Sequence, residues 1–207
     1  MDLIDFVLHF DVHLGEIIQN YGSYTYAFLI TIIFAETGLV FTPFLPGDSL
    51  LFASGMFSAL GSLNVAILFF SVWAASFLGD NTNYWIGSYL GQKMVNSKKI
   101  PINQNHIDKT QHFFDKYGKK TIILARFMPI VRTFAPFVAG IGRMRYRDFA
   151  FFSFFGGLLW VGLFIFAGYF FGNIPIIRDN FSIVILLIIG VSALPAIFKI
   201  IKSSFKS

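Results

Sequence analysis

Residues 36–50 read Glu36-Thr-Gly-Leu-Val-Phe-Thr-Pro43-Phe-Leu-Pro46-Gly47-Asp48-Ser-Leu50, and the fold turns on this stretch. It joins two apolar runs, Tyr24 to Thr42 and Ser49 to Leu60. The second run is too short to cross a hydrocarbon slab of about 30 Å at about 1.5 Å per residue. Proline lacks a backbone N–H and breaks a helix. Pro43, Pro46 and Gly47 therefore predict two short helical arms meeting at a break, with Glu36 and Asp48 flanking it. A second stretch has the same character: Thr121 to Val131 is interrupted by Arg126 and Pro129, Arg132 and Pro136 follow, and the run closes at Gly140-Ile-Gly142. Broken backbone survives inside a bilayer only where protein or a water-filled cavity satisfies the freed polar groups. Both stretches thus predict a re-entrant hairpin with a cavity beside it.

The rest of the chain agrees with a membrane setting. Of 207 residues, 56% are hydrophobic, 19% aromatic and only 13% charged, about half the charge of an ordinary soluble domain; mean hydropathy is +0.68. Twenty-eight Phe are too many for one water-soluble core but suit a lipid-facing exterior. Soluble enzymes and disordered chains are excluded. The formal charge of +5 is no nucleic-acid footprint, because no Lys or Arg precedes Lys93, the N-terminal arm carries Asp2, Asp5, Asp11 and Glu16, and Lys crowds into Lys93 to Lys120 and Lys199 to Lys206. Segregation of that kind marks cytoplasmic loops.

The expected fold class is an all-α membrane protein, a polytopic helical bundle with two opposed re-entrant hairpins in an inverted repeat. Residues 1–20 read as an amphipathic interfacial helix, 21–175 as one transmembrane domain, and 179–201 as a C-terminal transmembrane helix. Within the domain, hairpin 24–60 precedes helix 62–90, a cytoplasmic loop 92–120, hairpin 120–142 and helix 146–172. Pro43 and Pro46 precede Ala53-Ser-Gly55 much as Pro129 and Pro136 precede Ala139-Gly140, which suggests a structural repeat. If each hairpin returns to its own side, loop 92–120, Arg143, Arg145, Arg147 and the Lys-rich tail share the cytoplasm, and the hairpins enter from opposite faces. Met1-Asp-Leu-Ile-Asp lacks the basic start of a signal peptide, so insertion as it stands is expected.

Four ionisable residues fall in the hairpins: Glu36, Asp48, Arg126 and Arg132. Each costs roughly 2.5–3.5 kcal/mol at a bilayer centre, together on the order of 10 kcal/mol, comparable with the net stability of a domain. They must pair, face an interior or change protonation. The first hairpin brings acids and the second bases, so opposed hairpins would bring opposite charges together. One reading is a structural lock between half-membrane elements. The other is a substrate and proton path: arginine is the better bidentate partner for phosphate, and a buried carboxylate can exchange protons near neutrality.

A further polar cluster, Gly79-Asp80-Asn-Thr-Asn83-Tyr84-Trp85-Ile-Gly87, puts Asp80, Tyr84 and Gly87 on one helical face. It reads as a closely packed polar face or as a polar helix end at the interface, with Tyr84 and Trp85 as interfacial anchors. His106 to Lys120 reads as a surface helix against anionic lipid or as a solvated connector. With no Cys, and with His9, His13, His106 and His112 in the arm and loop, no metal site, cofactor or catalytic residue is expected. No nucleophile elbow or P-loop occurs.

The stretch Glu36 to Leu50, with Gly79-Asp80 and Tyr84, resembles the DedA family of membrane proteins, within the wider SNARE-associated or VTT-domain group. So does Phe113-Phe-Asp-Lys-Tyr-Gly-Lys-Lys-Thr-Ile-Ile-Leu-Ala-Arg126-Phe-Met-Pro129-Ile-Val-Arg132-Thr-Phe-Ala-Pro136-Phe-Val-Ala-Gly140. The resemblance covers roughly residues 15 to 175. It implies a multi-pass protein of the cytoplasmic membrane, of lipid-transporter type. Its cargo would be a phosphate-bearing lipid, undecaprenyl phosphate first, with phosphatidylethanolamine translocation or proton-coupled ion homeostasis as alternatives. The family's acidic pair falls on Glu36 and Asp48, for proton coupling, and its basic pair on Arg126 and Arg132, for substrate.

Overall fold

The structure is a computed structural model and describes residues 20–39, 47–95 and 104–171, together with Ile18 and Ile174. Pro43, Pro46, nearly all of the expected arm 1–20 and the whole of the expected C-terminal helix 179–201 lie outside the described residues. All regular structure among the described residues is helical.

Helix α1, Tyr24–Gly38, ends where Leu39 turns extended, its N–H still bonded to Ala35 O. Helix α2, Gly47–Ala59, follows the break. Every residue of α2 from Gly47 to Met56 is buried, so this short arm is sheathed in protein on all sides. Gly61, at φ +82, makes the turn out of it, a conformation glycine alone adopts without strain. Asn64 then caps the long helix α3, Val65–Val95, its Oδ1 accepting from the Ala66 and Ile67 N–H groups at 3.0 and 3.1 Å.

Helix α4, Gln104–Tyr117, lies inside the expected loop 92–120 and packs on α6. After a 3₁₀ turn at Gly118–Lys120, α5 spans only Thr121–Ala125. The chain then tightens into three-residue bonds, Arg126 N–H to Ile123 O and Met128 N–H to Ala125 O. Met128 is extended, as a residue preceding proline prefers. Helix α6, Pro129–Ile141, begins at that proline, whose missing N–H costs nothing at a helix start. Helix α7, Tyr146–Phe171, completes the described bundle.

The sequence reading of Pro136 as a hairpin breaker is corrected: Pro136 lies inside α6, which runs on without interruption. A proline within a helix loosens the carbonyls of the preceding turn, and membrane helices tolerate this where neighbours re-satisfy them. In that turn Thr133 O accepts from Asn83 Nδ2 of α3 at 2.8 Å, while the carbonyl that Pro136 itself leaves without its helical donor is that of Arg132.

Two helices, Val65–Leu90 and Tyr146–Phe171, are long and apolar enough to cross a membrane. Their outward faces carry exposed Phe70, Leu78, Phe151, Phe155, Leu159, Leu163 and Phe170. Packing is crosswise: α2 lies on α7 and α6 lies on α3, so each short arm packs against the long helix from the other half. Glycines set both crossings. A Cβ on Gly55 or Gly168 would collide with the backbone of Ile165 or Phe52, and one on Gly87 or Gly140 with that of Phe137 or Tyr84. Helix α1 is pressed on α3 in the same manner, where Gly38 meets Gly79.

Candidate functional site

The ends of α1, α2 and α5 and the first turn of α6 converge on the middle of α3 and α7. Glu36 occupies the last turn of α1, Asp48 the first turn of α2, and Arg132 the first turn of α6. Arg132 donates from Nη1 to Asp48 Oδ1 at 2.5 Å and from Nη2 to Glu36 Oε1. Glu36 is 1% exposed. The Gly47 backbone faces its carboxylate, and a Cβ at position 47 would fall among the carboxylate atoms. The expected confrontation of Glu36 and Asp48 with Arg132 is therefore present.

Arg126 pairs differently from expectation. Its partner is Asp80 of α3, not an acid from the first broken stretch: Nη2 donates to Asp80 Oδ2 and Nη1 to Ser76 Oγ at 2.7 Å. Ser153 of α7 donates to the same Asp80 oxygen at 2.6 Å. Asp80 is thus a buried member of the charge cluster, and the reading of a polar helix end at the interface is set aside. Tyr84 is buried too. Its hydroxyl donates to Met144 O and its ring stacks on Phe149 at 4.4 Å, so it fastens α3 to the α6–α7 turn instead of anchoring at the interface. Trp85 does face outward, stacked on Tyr89.

The sequence analysis gave no role to several residues that build the site. Trp160 of α7 donates from Nε1 to Asp48 Oδ1 at 2.9 Å, and its ring lies 5.2 Å from the Arg132 guanidinium and 5.8 Å from that of Arg126. Both arginines thus share one indole, a cation–π arrangement that strengthens away from water. Ser153, Gly156, Gly157 and Trp160 form a small-and-polar stripe along an otherwise Phe- and Leu-rich helix, and that stripe was the available signal. Gly156 and Gly157 clear the space that Arg126 crosses; a Cβ on Gly156 would approach its Cδ and Nε at 3.2 Å. Asn83 ties Thr37 O, at 3.0 Å, to Thr133 O and so holds α1 and α6 at fixed spacing.

Glu36, Thr37, Asp80, Arg126, Arg132, Thr133 and Trp160 enclose a cavity of about 10 Å³, room for about one water. The cavity expected beside the broken stretches is thus present but too small for a phosphate group. Ion pairs of Arg132 with Glu36 and Asp48, and of Arg126 with Asp80, hold the surrounding helices closed. A larger hollow, about 210 Å³, opens elsewhere, between α4 and α6 beside Lys119 and Met144. Among the described residues no group of three or more His, Cys, Asp or Glu is arranged to hold a metal.

Comparison with known proteins places this architecture. The VTT domain family matches residues 45–170. Protein DedA of Escherichia coli K12 is 53% identical over 203 residues, covering 97% of this chain and 93% of that protein. An uncharacterised membrane protein of Mycobacterium tuberculosis H37Rv is 43% identical over 180 residues, 86% of this chain and 79% of its own. The inner membrane protein YqjA of Escherichia coli K12 is 33% identical over 152 residues, 73% and 69% of the two chains. No solved structure matches. An acid–arginine cluster buried among apolar helices, a domain match over most of the length and near full-length similarity to a named member lead to one conclusion: the chain belongs to the DedA family of VTT-domain membrane proteins.

Proposed function

We propose that the protein is a transporter, not an enzyme, and that it moves a phosphate-bearing lipid, undecaprenyl phosphate in the first instance, across the cytoplasmic membrane, coupled to protons. One observation carries the reading: Arg132 is held by two carboxylates through its two terminal nitrogens. A phosphate presents the same pair of acceptor oxygens to a guanidinium. It can replace Glu36 and Asp48 at Arg132, and protonation of those acids favours the exchange by weakening their hold. Arg126, gathered on the same indole, supplies a second donor fork. The tail stays in lipid along the Phe-rich outer faces, so the protein need enclose only the head group.

In this scheme the closed cluster is the unloaded state. The two equivalent glycine crossings, α2 on α7 and α6 on α3, support opposed re-entrant arms in an inverted repeat, the architecture of many secondary transporters. The domain then runs over 21–175, with the basic residues of loop 92–120, the Arg143 to Arg147 turn and the C-terminal tail on the cytoplasmic side.

Proteoliposomes carrying labelled undecaprenyl phosphate test the reading directly. Arg126→Ala and Arg132→Ala should each abolish transbilayer movement, and Glu36→Gln should flatten its pH dependence. Movement that survives both arginine changes ends the head-group assignment. Phosphatidylethanolamine run in parallel separates the alternative lipid, and a proton flux without lipid movement would favour the ion-homeostasis reading. A purely structural lock would tolerate the exchange Glu36→Arg with Arg132→Glu; a phosphate carrier should not.

A further inference from the structure

Among the described residues the cluster contains three carboxylates, Glu36 on α1, Asp48 on α2 and Asp80 on α3, against two guanidiniums, Arg126 after α5 and Arg132 on α6. With all five ionised the sum is −1. No positive charge is left over to receive an anion. A phosphate monoester brings about −1.5 to −2 more near pH 7, and an uncompensated charge in a dry interior is strongly opposed. The anion can enter only if the site gains protons as it does so. Asp80 tips this balance: without it, two acids face two bases.

The surroundings fit such an exchange. Ser153 donates to Asp80, and Trp160 to Asp48. Asp80 and Asp48 thus keep a hydrogen-bonding neighbour after their arginines turn to another anion. Arg126 Nε and Thr133 Oγ1 are buried without a hydrogen-bond partner, and both residues line the small cavity where the exchange would start.

We propose that Asp80 makes proton uptake a condition of anion entry, so that the cluster admits a phosphomonoester head group with protons and a zwitterionic head group without them. The inference rests on the lipid-phosphate reading above. Its test is binding calorimetry on the purified full-length protein, in buffers of different ionisation heat, with a short-chain prenyl phosphate as probe. The prenyl alcohol and a short-chain phosphatidylethanolamine serve as controls.

The wild type should take up about one to two protons per prenyl phosphate, and Kd should rise about tenfold per pH unit for each proton linked. Phosphatidylethanolamine, if it binds, should take up none. Asp80→Asn should bind with about one proton fewer and a correspondingly shallower pH slope, and Asp80→Glu should restore both. If Asp80→Asn does not fold, the wild-type uptake and its contrast between the two lipids still decide the matter. Prenyl phosphate binding without proton uptake, or with wild-type uptake in Asp80→Asn, overturns this inference and leaves the transporter reading standing. Failure of prenyl phosphate to bind at all defeats the lipid-phosphate reading itself.

Discussion

At the scale of the residue, the two arginines do different work although the sequence presents them alike. Arg132 bridges acids from α1 and α2, whereas Arg126 is committed to α3 through Asp80 and Ser76. The charges themselves were legible, because Glu36, Asp48, Arg126 and Arg132 interrupt apolar runs and cannot stand alone there. Their pairing was not, because spacing along one helix says nothing about which neighbour it will meet. Trp160 looked like one more aromatic residue in a span full of them. Its N–H now predicts a measurable cost: Trp160→Phe retains an aromatic face but loses the pyrrole half of the indole and leaves Asp48 Oδ1 without that donor, which should lower stability by at least about 1–3 kcal/mol, read as a drop in the thermal midpoint of detergent-purified protein. Gly47→Ala should be harsher. Its methyl group would enter the space of the Glu36 carboxylate, so either α2 withdraws or the Glu36–Arg132 pair opens. Transport should fall well below that of the wild type; wild-type transport would show that the start of α2 has slack.

Elements were easier to read than partners. The break expected near 126–129 corresponds to the extended Met128 before Pro129, and of the one expected near 43–48 the described residues give the flanks, the end of α1 at Gly38 and the start of α2 at Gly47. The expected helix 146–172 is α7 within a residue, because its hydrophobicity is continuous and unmistakable. Pro136 misled because proline's local penalty was read without the packing of α6 on α3 that surrounds it. What the sequence could not reveal is which glycines mark crossings and which are incidental. Gly87 and Gly168 each meet the facing helix's backbone, whereas a Cβ on Gly162 would find only ordinary contact with Phe69 at 3.5 Å. Gly87→Ala and Gly168→Ala should therefore each destabilise by about 1–3 kcal/mol through overpacking. Gly162→Ala should be neutral or gain up to about 1 kcal/mol from helix propensity. Thermal midpoints of the three variants check the contrast, and equal effects at all three positions would refute the crossing argument.

Across the whole molecule, six elements meet in one cluster that has room for about one water. Loading a head group there requires elements to separate, and the packing shows where. Helices α1 and α6 lie on α3, while α2 and α5 lie on α7. The ion pairs Arg132–Asp48 and Arg126–Asp80 join the first set to the second. The sets also meet directly where α3 crosses α7: the Trp73 and Phe154 rings stand edge to face at 4.6 Å, and Trp73 Nε1 donates to Phe154 O at 3.2 Å. If transport consists of one set moving against the other, pinning this crossing should stop it while leaving the cluster intact. The chain contains no cysteine, so Trp73→Cys with Phe154→Cys can be joined by a short thiol-reactive cross-linker on an otherwise unreactive background. Cross-linked protein should lose lipid movement and regain it when a cleavable linker is reduced, while each single-cysteine variant treated alike remains active. Full transport by the cross-linked protein would mean that α3 and α7 form a fixed frame, and that only the buried arms α2 and α6 move to admit the head group.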